Sequence, residues 1–194
     1  MLRLTPVVPA DGPALVDFLA AHTFPHHVIA RHTRESAQRS VAGGRFHRAD
    51  SQGYWIDDEG PDGTDGDRHG LVVLEDPQDD TPMFDLRLAE GSRGRGLGPA
   101  AVRALADLVF TTLPHARRLE GQTREDNLAM RGTFVAAGFV QESFYRQGWP
   151  DGDGTFVASV GYALLRDDWA TGSTTPIGWD APGRAPQESG RRGG

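Results

Sequence analysis

The stretch LAEGSRGRGLGPAAVRAL, residues 88–105, sets glycines at 94, 96 and 98 and arginines at 93 and 95 between an alternating segment and a helical pattern. Just upstream, MFDLRLAE alternates, with Phe84, Leu86 and Leu88 on one face and Asp85 and Arg87 on the other, which reads as a strand. Downstream, apolar Val102, Leu105, Leu108, Val109 and Leu113 recur at helical spacing from Pro99 to Leu113, and Pro114 ends the helix. A strand, a glycine turn and a helix start gather free backbone N–H groups and the positive helix end at one point, a natural anion site. Gly94, Gly96 and Gly98 would let the backbone approach a ligand closely, while Arg93 and Arg95 would add charge suited to phosphate oxygens. A flexible turn with two solvated arginines is the plain alternative, and the glycines alone do not exclude it.

Composition narrows the chemistry. The 194 residues suit one domain, or one domain and a tail, and can bury a substantial core. A formal net charge of −7 argues against a general nucleic-acid or acidic-membrane binder. With no cysteine, disulfides, thiolate zinc sites and a cysteine nucleophile are excluded. All 20 basic residues are arginine, which also removes the P-loop lysine and any lysine Schiff base. No apolar run approaches a membrane span and the start lacks a signal-peptide pattern, so the expected compartment is the cytoplasm.

Reading outward from the glycine loop, LRLTPVV is a short first strand, and ADGPALVDFLAAHTF a helix that Asp11 could cap. A second helix is expected from Thr33 to Ala42, and GYWIDD and GLVVLED are strands flanking an acidic loop. That loop lacks the ligand spacing of a calcium loop and reads as solvated. After the long helix come a strand, ARRLEGQT, a helix in DNLAMRGTFVAAG that Asp126 could cap and Gly138 end, and two strands joined by GWPDGDG. The order predicts an α+β fold with a mixed, mostly antiparallel central sheet flanked by helices. Residues 1–169 would form the domain, and 170–194, rich in Gly, Pro, Ser and Thr, a disordered tail.

Three ligands compete for the glycine loop. A nucleoside triphosphate would need the absent lysine. A dinucleotide is a better rival, because Gly96–Ala101 satisfies G-x-G-x-x-A and Glu120 lies about where a ribose-binding acid would. Yet the remaining helix and antiparallel hairpin cannot complete a parallel sheet. Coenzyme A needs the same pyrophosphate cradle without a second nucleotide half.

The sequence resembles the GCN5-related N-acetyltransferase (GNAT) superfamily. Arg93-Gly94-Arg95-Gly96-Leu97-Gly98 fits its Arg/Gln-x-x-Gly-x-Gly/Ala motif, and Asn127 with Gly138-Phe139 fits a second signature, an asparagine opening the next helix and a Gly-Phe ending it. WPDGDG followed by GYALLRDDW is similar to the ending of the branch containing the ribosomal-protein N-terminal acetyltransferases. The resemblance implies acetyl transfer from acetyl-CoA to an amine, without a metal, on a sheet whose strands either side of the glycine loop and its helix splay to admit the pantetheine arm. Backbone amides from Arg93 to Gly98 would then bind the pyrophosphate, the backbone from Leu86 to Leu88 the pantetheine and thioester, and Asn127 the coenzyme arm. For Asn127 a plain helix-start role stands beside this.

An amine acceptor must lose a proton, meet the thioester carbon and see its oxyanion stabilised. Without cysteine the route is direct attack in a ternary complex. Where relatives carry a glutamate base this chain has Met83, so Asp85 and Glu120 are the carboxylate candidates, with a base acting through water as an equal alternative. Relatives' proton donors fall on Phe134 and Met130, leaving Tyr145 as the nearest replacement. HTFPHH, residues 22–27, lies near where the family builds its acceptor pocket and reads as a pocket wall or loop rather than a metal site. The acceptor would be a small-molecule amine or a protein N-terminal amine, with self-association into a homodimer left open. A non-catalytic acyl-CoA-binding sensor module and, more distantly, a dinucleotide-dependent oxidoreductase are the other readings.

Overall fold

The computed structural model describes residues 2–60, 65–152 and 154–178. In chain order the elements are β1 (Leu2–Pro6), α1 (Gly12–Ala21), α2 (Arg34–Ala42), β2 (His47–Arg48), β3 (Ser51–Glu59), β4 (Asp65–Glu75) and β5 (Met83–Leu88). After the glycine loop follow α3 (Leu97–Thr112), β6 (Arg118–Arg124), α4 (Leu128–Ala136), β7 (Val140–Pro150), β8 (Phe156–Leu165) and α5 (Arg166–Thr171). The sheet order is β1-β3-β4-β5-β6-β8-β7, with β2 paired to β3. Every neighbouring pair is antiparallel except β5 and β6. The mixed, mostly antiparallel sheet is thus the α+β architecture expected.

Strand alternation builds two cores, one on each face. Ile56, Val72, Leu74 and Phe84 meet Val102, Leu105 and Val109 of α3 and Phe134 of α4. Trp55, Leu71 and Val73 point the other way, onto Leu15, Phe18 and Leu19 of α1. β4, covered on both faces, therefore carries the continuous apolar run Leu71–Leu74, whereas β5 alternates.

Two expected caps are corrected. Asp11 makes no side-chain cap on α1; its carboxylate accepts from the Val8 N–H (2.9 Å) and closes the preceding turn. On α4 the cap is Asn127, not Asp126: Asn127 Oδ1 accepts from the Met130 N–H (3.2 Å), whereas Asp126 is engaged by Arg124. Gly138 ends α4 in the left-handed region at φ +90°, as its position implied. Of the expected tail, residues 179–194 lie outside the described residues, as does 61–64 of the acidic loop. The tail's first residues are in contact with the domain, since Asp168 accepts from the backbone N–H and hydroxyl of Thr175.

Candidate active site

Between β5 and α3 the backbone passes through left-handed conformations at Gly94 (φ +70°) and Gly96 (φ +76°), which any side chain would strain. A Cβ at either position would meet no atom within 4 Å, so the space beside the loop is open. Gly98 serves a different purpose. It is buried where α3 packs on α4, and a Cβ there would come within 2.9 Å of Thr133 Oγ1. The helix begins at Leu97, earlier than the apolar pattern suggested, with Gly96 at its N-cap. The N–H groups from Gly94 to Gly98 have no backbone partner among the described residues, and they sit at the positive end of a 16-residue helix.

Arg93 is the most heavily bonded residue described in the loop. Its N–H bonds the Glu90 carbonyl (3.3 Å), and its guanidinium donates to the carbonyl of Leu88 (3.0 and 3.1 Å) and to that of Thr23. The side chain ties the loop to β5 and to the segment after α1 and lines the glycine-loop cavity. Arg95 is exposed on the loop. Buried His69 braces the loop's root, bonding Ser92 Oγ (3.0 Å) and Asp58 (2.8 Å).

On the other side of β5 lies a notch. β5 and β6 pair at Met83 and Glu120, where the Glu120 N–H bonds the Pro82 carbonyl (2.9 Å). No register pair continues from there toward the glycine loop. Ala89 N–H bonds His69 of β4 (2.8 Å), so antiparallel alternation turns the backbone groups of Leu86 and Leu88 away from β4 and into this gap. The Leu88 carbonyl is already taken by Arg93; the Leu86 peptide groups face the notch.

Two cavities open onto it. One, of about 470 Å³, runs from the glycine loop along Leu86–Leu88 to Asn127, Met130 and Thr133. The other, of about 450 Å³, lies toward α1 and α2 and includes Arg45, Met83, Asp85, Gln122 and Trp149. His26, His27, Leu86, Arg87, Asn127 and Met130 line both. The two spaces therefore meet across the splayed strands.

The HTFPHH segment is pinned in place. Glu90 accepts from the Thr23 N–H (2.9 Å) and hydroxyl (2.7 Å), Arg93 holds the Thr23 carbonyl, and Phe24 is buried against Phe18. This delivers His26 and His27 to the junction of the cavities. His27 Nε2 lies 2.8 Å from Asp85 Oδ1, while Asp85 Oδ2 accepts from Arg87 (2.8 Å) and Arg45 (3.0 Å). Burial alone would raise the Asp85 pKa, but Arg87, His27 and Arg45 override it and hold the carboxyl well below the usual carboxylate range. An ionised carboxylate can only accept, so His27 donates to it from Nε2, and the tautomer that does so carries its lone pair on Nδ1. Burial pushes His26 below its ordinary 6.5, against the pull of Asp126 and with help from Arg124, His27 and Arg93. His32, buried in the wall, is lowered by burial and then by Arg87, His27 and Arg45. Among the described residues no group of His, Asp or Glu is arranged to hold a metal ion.

The catalytic candidates from sequence are scattered. Asp85 lines the second cavity, but its suppressed basicity suits it to orient His27 rather than to take a proton. Glu120 is ion-paired to Arg118 (2.8 Å), which also holds Glu142, and lines neither cavity. Tyr145 stands half exposed on the edge strand β7, also outside both. Asn127 lines both cavities while capping α4 and donating to Thr123 Oγ1 (2.9 Å), so its helix-start role is present. Arg45 and Trp149 were not foreseen, because a lone arginine after Gly43-Gly44 and a tryptophan in a hairpin carry no local sign of a pocket 40 to 100 residues away in sequence. The histidines had such a sign in their clustering.

A family model described as the acetyltransferase (GNAT) domain matches residues 1–140. The fold is similar to the spermidine N-acetyltransferase from Vibrio cholerae in complex with CoA and spermine, with TM-score 0.72 and 14% identity over 87% of this chain and 98% of that one. It is also similar to Mycobacterium smegmatis RimJ in complex with CoA-disulfide, with TM-score 0.70 and 20% identity over 86% of this chain and 83% of that one. No curated protein matches the chain. No helix among the described residues is long and apolar enough to cross a membrane. With the family model spanning well over half of its length and the glycine loop, notch and helix cap in place, the chain belongs to the GNAT acetyltransferase family.

Proposed function

We propose that this chain is an N-acetyltransferase that takes acetyl-CoA in the glycine-loop cavity and a primary amine in the cavity beyond the notch. The observation that carries the reading is the meeting of the two cavities between β5 and β6, with His26 and His27 at the junction. The coenzyme cavity fits its ligand chemically: N–H groups from Gly94 to Gly98 at a helix start suit a pyrophosphate, and the open space beside Gly94 and Gly96 admits it. Leu86 offers strand-edge N–H and C=O groups to an amide-bearing arm in the notch. When bound, acetyl-CoA supplies the acyl group and a thiolate leaving group. The same fold class in the spermidine enzyme and RimJ, each solved with a CoA species, supports this assignment.

His27 is the group placed to accept the amine proton, held in one tautomer by Asp85 as a base is held in a hydrolytic triad. Neutral His26 beside it excludes a second positive charge that would repel an ammonium. The Leu86 N–H is the notch donor available to a developing oxyanion. Absence of cysteine leaves direct attack as the route.

Thermal-shift titration with acetyl-CoA, CoA and NAD(P), followed by a CoA-release screen over amines, tests the reading. Stabilisation by the first two and amine-dependent CoA release are expected. A response to NAD(P) alone would sink it, and coenzyme binding with no release for any amine would favour a sensor module.

A further inference from the structure

Three buried polar atoms without a hydrogen-bond partner among the described residues belong to side chains lining the acceptor cavity: Arg87 Nη1, Trp149 Nε1 and His26 Nδ1. Two of the three can only donate. Arg87 is the strongest case. Its side chain is 8% exposed, Nε and Nη2 are spent on Asp85, and Nη1 is left over. An unmet guanidinium N–H in such a place costs stability unless a water or a ligand oxygen satisfies it.

The charge pattern agrees. Asp85 is met by Arg87, Arg45 and His27 together, and Arg45 reaches on to Glu75 (2.6 Å). The two arginines balance the two carboxylates, so neither carboxylate is left over to pair with a cationic ligand. His32 in the same wall is pushed down by burial first and then by its cationic neighbours, among them Arg87 and Arg45. A polyamine, cationic along its whole length, would find no uncommitted carboxylate here. Val28, Ile29 and Met83 add an apolar portion to the wall.

Resting on the acetyltransferase reading, the structure assigns the acceptor to the amino carboxylates: an amino acid with an apolar side chain, its carboxylate received by Arg87 and Trp149 and its amine turned to His27. His27 and Arg87 both contact the single Asp85 carboxylate and both line this cavity, so an amine site and a carboxylate site share one wall. Arg45, partly exposed, adds attraction at the same carboxylate.

The test compares L-phenylalanine, L-phenylalaninamide and spermidine as acceptors with acetyl-CoA, in the wild-type protein and in Arg87→Met and Arg45→Met. The acid is expected to exceed the amide in kcat/KM by about 10- to 100-fold, the range of a hydrogen bond between charged groups. Amine chemistry alone would give the reverse order, because the amide's amine is the less basic and more often neutral. Both variants should collapse the acid-to-amide ratio, a comparison that cancels any change common to both acceptors through Asp85 and His27. Preference for the amide or for spermidine, or a ratio unmoved by both substitutions, would overturn the inference and leave amine acetylation standing. Should Arg87→Met fail to fold, Arg45→Met decides, with its acetyl-CoA thermal shift as the control for folding. If no amine releases CoA, the acetyltransferase reading fails separately; stabilisation of the CoA-bound protein by L-phenylalanine, lost in Arg45→Met, would still support the carboxylate site, and its absence would overturn it.

Discussion

The two sides of the notch are built from different materials. The coenzyme side is backbone: N–H groups of one continuous loop, two glycines in left-handed conformation and a helix start, all within residues 86–98. The acceptor side is side chains brought from far apart, with His27 after α1, Arg45 after α2, Asp85 and Arg87 on β5 and Trp149 on β7 meeting around one carboxylate and one cavity. A backbone cradle accepts the same ligand whatever its surface residues, whereas a side-chain wall can be rewritten one residue at a time.

Breaking the backbone side should give the largest effect. Gly96→Val combined with Gly98→Val places a β-branched residue at φ +76° and a side chain against Thr133, and acetyl-CoA affinity by calorimetry should fall at least about 100-fold, with strain of about 1–2 kcal/mol at Gly96 alone. Retained affinity would show that the cradle lies elsewhere.

Next comes the histidine on the boundary. His27→Gln should lower kcat by about 100-fold or more while acetyl-CoA affinity changes little, as expected for loss of a positioned general base. A parallel fall in coenzyme affinity would instead make His27 part of the donor side.

The pH dependence of stability sharpens the same boundary. His26 and His32 have folded pKa values below their ordinary 6.5, so as pH falls past 6.5 the unfolded chain takes up protons first. Their contribution is fully present above 6.5 and is lost as pH drops through the folded values. Chemical denaturation at stepped pH should show this slope, and His32→Gln should flatten it.

Smaller still is Asn127→Ala, which removes an N-cap and should cost about 1 kcal/mol of stability. Glu120→Gln and Tyr145→Phe should leave turnover within about twofold, since neither side chain lines a cavity. A loss greater than about 100-fold in either would return it to the list of catalytic groups.

The alternation of Phe84, Asp85, Leu86 and Arg87 was legible because a strand's period of two survives whatever packs against it. Gly94 and Gly96 were legible for a related reason, since left-handed turns are local demands on local residues, whereas the α4 cap falls one residue beyond the Asp126 that the sequence offers. Glu120 drew attention by its distance from a glycine motif, yet its side chain is spent on Arg118, and no spacing rule foretells an ion pair. The aim of the Arg93 guanidinium was equally hidden, because the carbonyl of Thr23 that it holds lies 70 residues away.

The sequence by itself determined the order of elements, the place of the glycine cradle and the exclusion of cysteine and lysine chemistry, since each depends on neighbours along the chain or on composition. Only the tertiary structure decided that the HTFPHH segment faces Asp85, that Asp85 is held ionised by two arginines, and that Arg87 is left with an unmet donor. Those are properties of through-space fields and of burial, which arise when segments remote in sequence are packed into one low-dielectric wall.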